Sequence, residues 1–313
     1  MPNHRSSHIA PTPRGGGLAI VLAFFLAAIA LHQMGRIDLI ELGVFGSALL
    51  VAGIGFCDDH APVAARWRFL THLVAAAVVM FLLHGFPLIL VPAPIDWIVH
   101  RWIANPGWLG YPLGVLFLVW FLNLFNFMDG TDGIAASESA FVSLSIAGFV
   151  FYLDQGLFAV AIGLSAASLG FLCWNWPKAR IFMGDVGSGF LGMLLGVLIL
   201  LASRQAAVML YCGVILFGIF IVDASYTLLF RLCSGQKWYQ AHCSHAYQRA
   251  AKQHGHLKVL GCCWMINLFW LGPLAWLTFL HPAYALCGLA LAYTPLICLA
   301  FYFKAGRMDE VRA

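Results

Sequence analysis

Apolar runs of roughly twenty residues, the length that spans the hydrocarbon core of a bilayer, alternate with short polar stretches along the whole chain. The pattern predicts ten helices, at about 16–34, 39–57, 69–91, 108–127, 134–153, 156–175, 188–203, 206–230, 258–280 and 283–303. The runs hold too few charges and too much Leu, Val, Ile and Phe for alternating barrel strands. Helices are the other way to satisfy backbone polar groups in lipid. Two connections are longer than the rest: 92–107, rich in Pro and Trp, and the basic 231–257. No soluble domain, linker or fixed-period repeat interrupts them. The expectation is an all-α, polytopic transmembrane bundle of about ten spans, with residues 1–313 forming one integral membrane domain. Gly192-x-x-x-Gly196 in the seventh run permits close helix contact, although such spacing is frequent in Gly-rich helices.

Composition agrees. The chain is 62% hydrophobic and 10% charged, with a mean hydropathy of +0.88, whereas about a quarter of a typical soluble chain is charged. With the N-terminus in the cytoplasm and sides alternating, 14 of the 17 Lys and Arg residues face the cytoplasm. Only Arg36, Arg101 and Arg204 face the other side, as the positive-inside rule requires. The net charge of +4 therefore reflects topology and gives no reason to expect nucleic acid. The bilayer is the partner this composition demands. Nine cysteines without a C-x-x-C pair read as reduced thiols. The basic N-terminus before an apolar run has the outline of a signal peptide, but no small-residue cleavage site follows, so a retained helix is expected.

On this topology the scattered polar motifs converge on the cytoplasmic side. Gly184-Asp185-Val-Gly187-Ser188-Gly189 sets an aspartate among glycines at the start of a helix. Helix N-terminal amides favour anions, and such an aspartate can hold Mg²⁺ beside them. The alternative is a tight turn capped by Asp185 and Ser188. Asn123, Asn126 and Asp129 recur at helical spacing, followed by Asp132, so Asn126 could give an oxygen to Mg²⁺ and Asp132 could accept from a nucleobase. A polar helix end closed at Gly130 is the plainer reading.

Asp58 and Asp59 repel one another unless a cation or shared proton intervenes, and a carboxylate so raised can act as a base. Asp223 lies inside the eighth run, with Arg231 eight residues on, and suits either a buried ion pair or a phosphate site. His242, His245 and Arg249 suit diphosphate oxygens; with Cys243 the histidines could also suggest zinc, though at no usual zinc spacing.

Two lipid-linked chemistries are disfavoured by spelling. Pro62 stands where a DDxxD motif needs its last aspartate. Asp129-Gly-Thr-Asp132-Gly-Ile-Ala-Ala136-Ser137 lacks the Arg and downstream aspartates of CDP-alcohol phosphotransferases. An ion-coupled transporter or lipid flippase is the alternative function, disfavoured because the acids gather at one face and no repeated half is visible.

Together these motifs resemble the polyprenyl-phosphate N-acetylhexosamine-1-phosphate transferases of glycosyltransferase family 4. The similarity runs through Pro2-Asn-His-Arg-Ser-Ser-His8, Pro11-Thr-Pro-Arg-Gly-Gly-Gly17, Asp58-Asp59, the Asn126/Asp129/Asp132 loop, Asn175-Trp-Pro-Lys178, Asp185 and His242 to Arg249. The N-terminal and His-loop spellings are most similar to the branch that initiates O-antigen or related surface polysaccharide. The resemblance implies a bacterial inner-membrane enzyme with a cytoplasmic active site. It would transfer a sugar 1-phosphate from a UDP-N-acetylhexosamine to undecaprenyl phosphate, using Mg²⁺ or Mn²⁺ and releasing UMP, with a homodimer as a candidate assembly.

It further implies Asp185 and Asn126 as metal ligands, and Asp58, Asp59 and Asp129 as catalytic. Asp132, Asn175, Lys178 and Phe182 fall on the nucleotide side, with Phe182 at a uracil-stacking position, and His242, His245 and Arg249 belong to the His motif. Three departures stand out: against the resemblance, the helix that usually precedes the Pro2 segment is expected to be missing, Cys243 replaces a basic residue, and the triple-His run of the peptidoglycan branch is absent.

Overall fold

A computed structural model describes residues 12–99, 103–237 and 242–307. Pro2 to His8 lies outside the described residues. The chain is an all-α, polytopic membrane protein. In order it forms α1 Gly17–Gln33, α2 Leu39–Gly46, α3 Ala48–His60, α4 Ala65–Leu82, the short α5 Ile95–Val99, α6 Gly110–Met128, α7 Ile134–Val150 and α8 Gln155–Asn175. Then follow α9 Asp185–Gln205, α10 Met209–Leu216, α11 Gly218–Cys233, α12 Ala246–His254, α13 His256–Ile266, α14 Gly272–Leu280 and α15 Ala285–Tyr302.

Each apolar run of the sequence appears as a helix. Among the described residues, seven continuous helical stretches are long and apolar enough to cross a membrane. The bent pair α10 and α11 adds an eighth if counted as one span, while α1 and α7 are shorter apolar helices.

The bundle is built around α9, whose apolar window is buried throughout. Gly192 and Gly196, ambiguous in sequence, face α6: a Cβ on Gly192 would lie 2.8 Å from the Cα of Leu122, and one on Gly196 2.9 Å from Leu118. Their missing side chains let two backbones approach, as packing without a hydrophobic driving force requires. Phe121 and Phe125 of α6 stack on Phe217, which also meets Phe220. That aromatic cluster sits at the break between α10 and α11, where the chain turns by 72°. Leu22, Leu26, Phe81 and Leu116 stay exposed on the outer surface, where lipid is the solvent.

Three boundaries differ from expectation. The helix expected over 69–91 begins at Ala65 and stops at Leu82. His84 and Gly85 have positive φ, which an α-helix cannot continue, and Ile89–Leu90 pairs instead with Ile103–Ala104. The helix expected over 39–57 runs on to His60, with a turn at Ser47 whose backbone stays helical. The ninth run widens into a π-turn at Asn267–Leu271, just before Pro273, whose ring crowds the carbonyl four residues back. Among the described residues no disulfide links the nine cysteines.

Candidate active site

The site forms where one end of α3, α4, α6 and α9 meet. Asp58 and Asp59 close the last turn of α3, and two different groups relieve their repulsion. Asp58 Oδ2 accepts from Arg68 Nη1 at 2.6 Å, and its Oδ1 accepts from the amide of Val63 at 2.6 Å. Asp59 turns toward α9, where Oδ1 accepts from the Asp185 amide at 3.0 Å and Oδ2 from the Val186 amide at 3.1 Å. A carboxylate there satisfies two orphan amides and faces the positive end of the helix. Gly184 makes the approach feasible: its φ is +76°, and a Cβ at that position would collide with the Asp59 carboxylate.

Arg68 then links the two halves of the cluster. Its Nη1 also donates to Asp185 Oδ2 at 3.0 Å, so one guanidinium nitrogen serves both Asp58 and Asp185. In sequence Arg68 is one of the 14 cytoplasmic basic residues and nothing more. Its place in the first turn of α4, ten residues after Asp58, was the available clue.

Asn126 lies in the last turn of α6, and its Oδ1 accepts from Ser188 Oγ at 2.8 Å, which ties it to the first turn of α9. Asp129 caps α6 and is half-buried. Its carboxyl is held well above the usual carboxylate range, first by desolvation, then by the neighbouring Asp185 and Asp59 carboxylates; Arg14 pulls the other way. Asp58, Asp59, Asn126, Asp129 and Asp185 thus gather in one cluster with Arg68 and Arg14.

Phe182 borders the cluster. Its amide donates to the Pro13 carbonyl at 2.9 Å, while the Gly16 amide donates to the Phe182 carbonyl at 3.0 Å. This pairing holds the glycine-rich N-terminal segment against the loop that leads into Asp185.

Asp132 and Asn175 form a second knot. Asn175 is buried, and its Oδ1 accepts from the Gly133 amide at 2.8 Å while its Nδ2 donates to the Ile181 carbonyl at 2.9 Å. Asp132 Oδ2 accepts from the Ala179 amide at 3.1 Å and lies 3.3 Å from His256 Nδ1. Both side chains brace the 176–182 loop against the α6–α7 turn. Lys178 of that loop is exposed. His256 was missed because it lies beyond the His motif, at the start of α13.

The His motif docks beside the α6–α7 turn. Tyr247 Oη donates to the Phe127 carbonyl at 2.9 Å, and His245, buried, stacks on Phe127 with centroids 6.2 Å apart. His242 stacks on His245 at 5.0 Å and is partnered at Nδ1 by Ser244 Oγ at 3.0 Å. Arg249 donates through Nη2 to the Arg307 carbonyl. Asp223 anchors the motif: its carboxylate accepts from the Ala246 and Tyr247 amides at 2.9 and 2.8 Å and from Thr227 Oγ1 at 3.1 Å, with His245 Nδ1 at 3.3 Å. The ion pair considered for Asp223 and Arg231 does not form; Arg231 Nη2 donates to the Lys237 carbonyl.

The donors of the main cluster are all oxygen, which suits a hard divalent cation. Among the described residues, no three His, Cys, Asp or Glu side chains form a ready-made metal cage. Mg²⁺ needs none, since it is commonly held by one or two carboxylates together with substrate phosphates and water. The carboxyl groups of Asp58, Asp59, Asp129 and Asp185 outnumber the guanidinium groups of Arg68 and Arg14 that meet them. The residues present fit such an ion.

A helical membrane protein with a carboxylate cluster at one end of its bundle, where a glycine backbone lets an aspartate approach a helix start, suits phosphoryl chemistry on a lipid. The profile of glycosyl transferase family 4 matches residues 41–203, and the chain belongs to that family. It is 31% identical over 256 residues to the probable undecaprenyl-phosphate N-acetylglucosaminyl 1-phosphate transferase of Bacillus subtilis, covering 80% of this chain and 68% of that protein. It is 32% identical to the decaprenyl-phosphate N-acetylglucosaminephosphotransferase of Mycolicibacterium smegmatis, over 66% of this chain but about half (52%) of that relative's length. The phospho-N-acetylmuramoyl-pentapeptide-transferase of Moorella thermoacetica is 32% identical, covering 66% and 67% of the two chains.

Proposed function

We propose that this protein transfers an N-acetylhexosamine 1-phosphate from a UDP-sugar to undecaprenyl phosphate at the cytoplasmic face of the bacterial inner membrane. UMP is released, and the product is the first lipid-linked intermediate of O-antigen or a related cell-surface polysaccharide. The reading rests on one observation: Asp58, Asp59, Asp129 and Asp185 converge with Arg68 and Arg14 in a chain of this family. The names of the Bacillus and mycobacterial relatives make UDP-N-acetylglucosamine the first donor to test.

In this reaction an oxygen of the acceptor phosphate attacks the sugar-bound phosphorus, and the bond to the UMP oxygen breaks. Positioning and charge neutralisation supply most of the catalysis. Asp185 and Asn126 are the residues that would hold Mg²⁺, or Mn²⁺ in its place, which when bound would neutralise the donor diphosphate and improve UMP as a leaving group. Asp59 fixes the first turn of α9 and so the direction of Asp185. Asp58 and Asp129 are the carboxylates left to handle a proton on the acceptor phosphate, and Asp129, whose protonation the surroundings favour, can hold it. Asp132 and Asn175 act on the nucleotide through the loop they brace, which carries Lys178 and Phe182, with Phe182 stacking on uracil. His242, His245 and Arg249 are assigned to the diphosphate, on the motif that Tyr247 docks beside the α6–α7 turn.

Purified protein with undecaprenyl phosphate and a panel of UDP-N-acetylhexosamines tests the proposal, with UMP as the readout. UMP should form with at least one donor, only with acceptor and divalent cation present, and not with Asp185→Asn. Substrate-dependent proton flux in liposomes without UMP from any donor would favour a transporter instead.

A further inference from the structure

Away from the carboxylate cluster, two polar side chains meet inside the helical bundle. Glu138 in the second turn of α7 is 1% exposed, and Asn267, the first residue of the π-turn, is 3% exposed. Asn267 Nδ2 donates to Glu138 Oε2 at 2.7 Å. The remaining oxygen of each, Glu138 Oε1 and Asn267 Oδ1, is buried with no hydrogen-bond partner. No basic side chain acts on Glu138. The titratable side chain facing it is that of buried Cys263, one turn before Asn267 on α13. An ionised carboxylate with a single donor in such surroundings is the costliest state it could adopt.

We propose that Glu138 carries a proton, and that its carboxyl group and the Asn267 carboxamide form a cyclic acid–amide pair that positions α13 against the active-site loops. One proton accounts for both orphaned oxygens. The Oε1 hydroxyl donates to Asn267 Oδ1, while Asn267 Nδ2 keeps its bond to Oε2. No metal, water or further side chain is needed.

The π-turn gives the pair its consequence. Pro273 disrupts the regular helical ladder behind Asn267–Leu271, so the helix widens where Asn267 meets α7. The pair anchors this π-turn to α7. At its other end α13 presents His256, 3.3 Å from Asp132 Oδ2, and Asp132 in turn holds the Ala179 amide. A buried contact in the bundle thereby reaches the loop carrying Lys178 and Phe182. This positioning role rests on the function proposed above; the protonation state does not.

Two measurements separate these claims. Infrared difference spectra between wild type and Glu138→Gln should show loss of a protonated-carboxyl band; loss of carboxylate bands alone would overturn the protonated pair. Gln restores both hydrogen bonds as an amide–amide pair, so Glu138→Gln should release UMP within about threefold of wild type, whereas Glu138→Leu and Asn267→Leu should lose about tenfold or more through misplacement of the loop. Wild-type rates in both Leu variants, or a Gln variant as impaired as Leu, would overturn the positioning role. If the wild type releases no UMP from any donor, the proposed function fails, and the infrared result alone judges the pair.

Discussion

Asp59 grips the start of the helix that carries Asp185, with Oδ1 on the Asp185 amide at 3.0 Å and Oδ2 on the Val186 amide at 3.1 Å. The neighbouring Asp58 approaches the same residue differently, through the Arg68 nitrogen it shares with the Asp185 carboxylate. Two adjacent aspartates thus hold one residue by its backbone and by its side chain.

The division predicts different outcomes for the two aspartates. Asn has a single acceptor oxygen, so Asp59→Asn leaves one α9 amide without its cap and should cost about 1 kcal/mol of stability. Gly184→Ala, strained at positive φ and driven into the Asp59 carboxylate, should cost about 1–3 kcal/mol and lower UMP release with it. Asp58→Asn should lower UMP release with a smaller change in melting temperature. Thermal melts in detergent beside the UMP assay check this, and an Asp59→Asn protein that melts like wild type would refute the capping role.

Arg68 should tolerate no replacement fully. Lys keeps the charge but presents a compact ammonium in place of the rigid guanidinium fork. UMP release is expected to fall in the order wild type, Arg68→Lys, Arg68→Ala, with the Ala variant down about tenfold or more. Equal rates for the Lys and Ala variants would mean that charge at this position does not matter.

The helices were legible because a bilayer imposes run length and composition, and α9, the most apolar of them, became the hub. Their interruptions were less so. The 72° break at Phe217 has Gly218 as its one local mark, and the ring contacts of Phe217 with Phe121 and Phe125 of α6 carry no sequence signature. The helix expected to reach residue 91 ended early because His84 and Gly85 take positive φ inside an apolar stretch. At the site, the aspartates stood out by their rarity and their glycines, but their partners did not. Arg68 and His256 are ordinary helix-start residues in sequence, and only the fold sets them against Asp58, Asp185 and Asp132. Asp223 was visible as a costly acid, while its partners, the amides of Ala246 and Tyr247, carry no sequence signature.

Asp223→Asn should loosen the His motif. The carboxylate takes both amides at the start of α12, and an amide side chain can retain one of them. A loss of about 1–2 kcal/mol is expected, with KM for the UDP-sugar rising more than kcat falls, because the motif is displaced and its residues remain. The opposite split, a collapse of kcat at unchanged KM, would place Asp223 in the chemical step instead.

His242 gives the His motif an acid sensitivity. Burial first, then the facing His245 and Arg231, lower its pKa from 6.5 to about 4. Between those values the unfolded chain binds the proton that the folded loop refuses, so stability rises with pH across that window. The contribution is fully present above about pH 6.5 and is lost as pH falls toward about 4. Melting temperatures of wild type and His242→Gln, compared from about pH 7.5 down to about pH 4.5, isolate the effect because other groups titrate in both proteins. Wild type should lose stability more steeply on acidification than the Gln variant. Parallel curves would show that His242 takes up its proton in the folded loop as readily as in the unfolded chain.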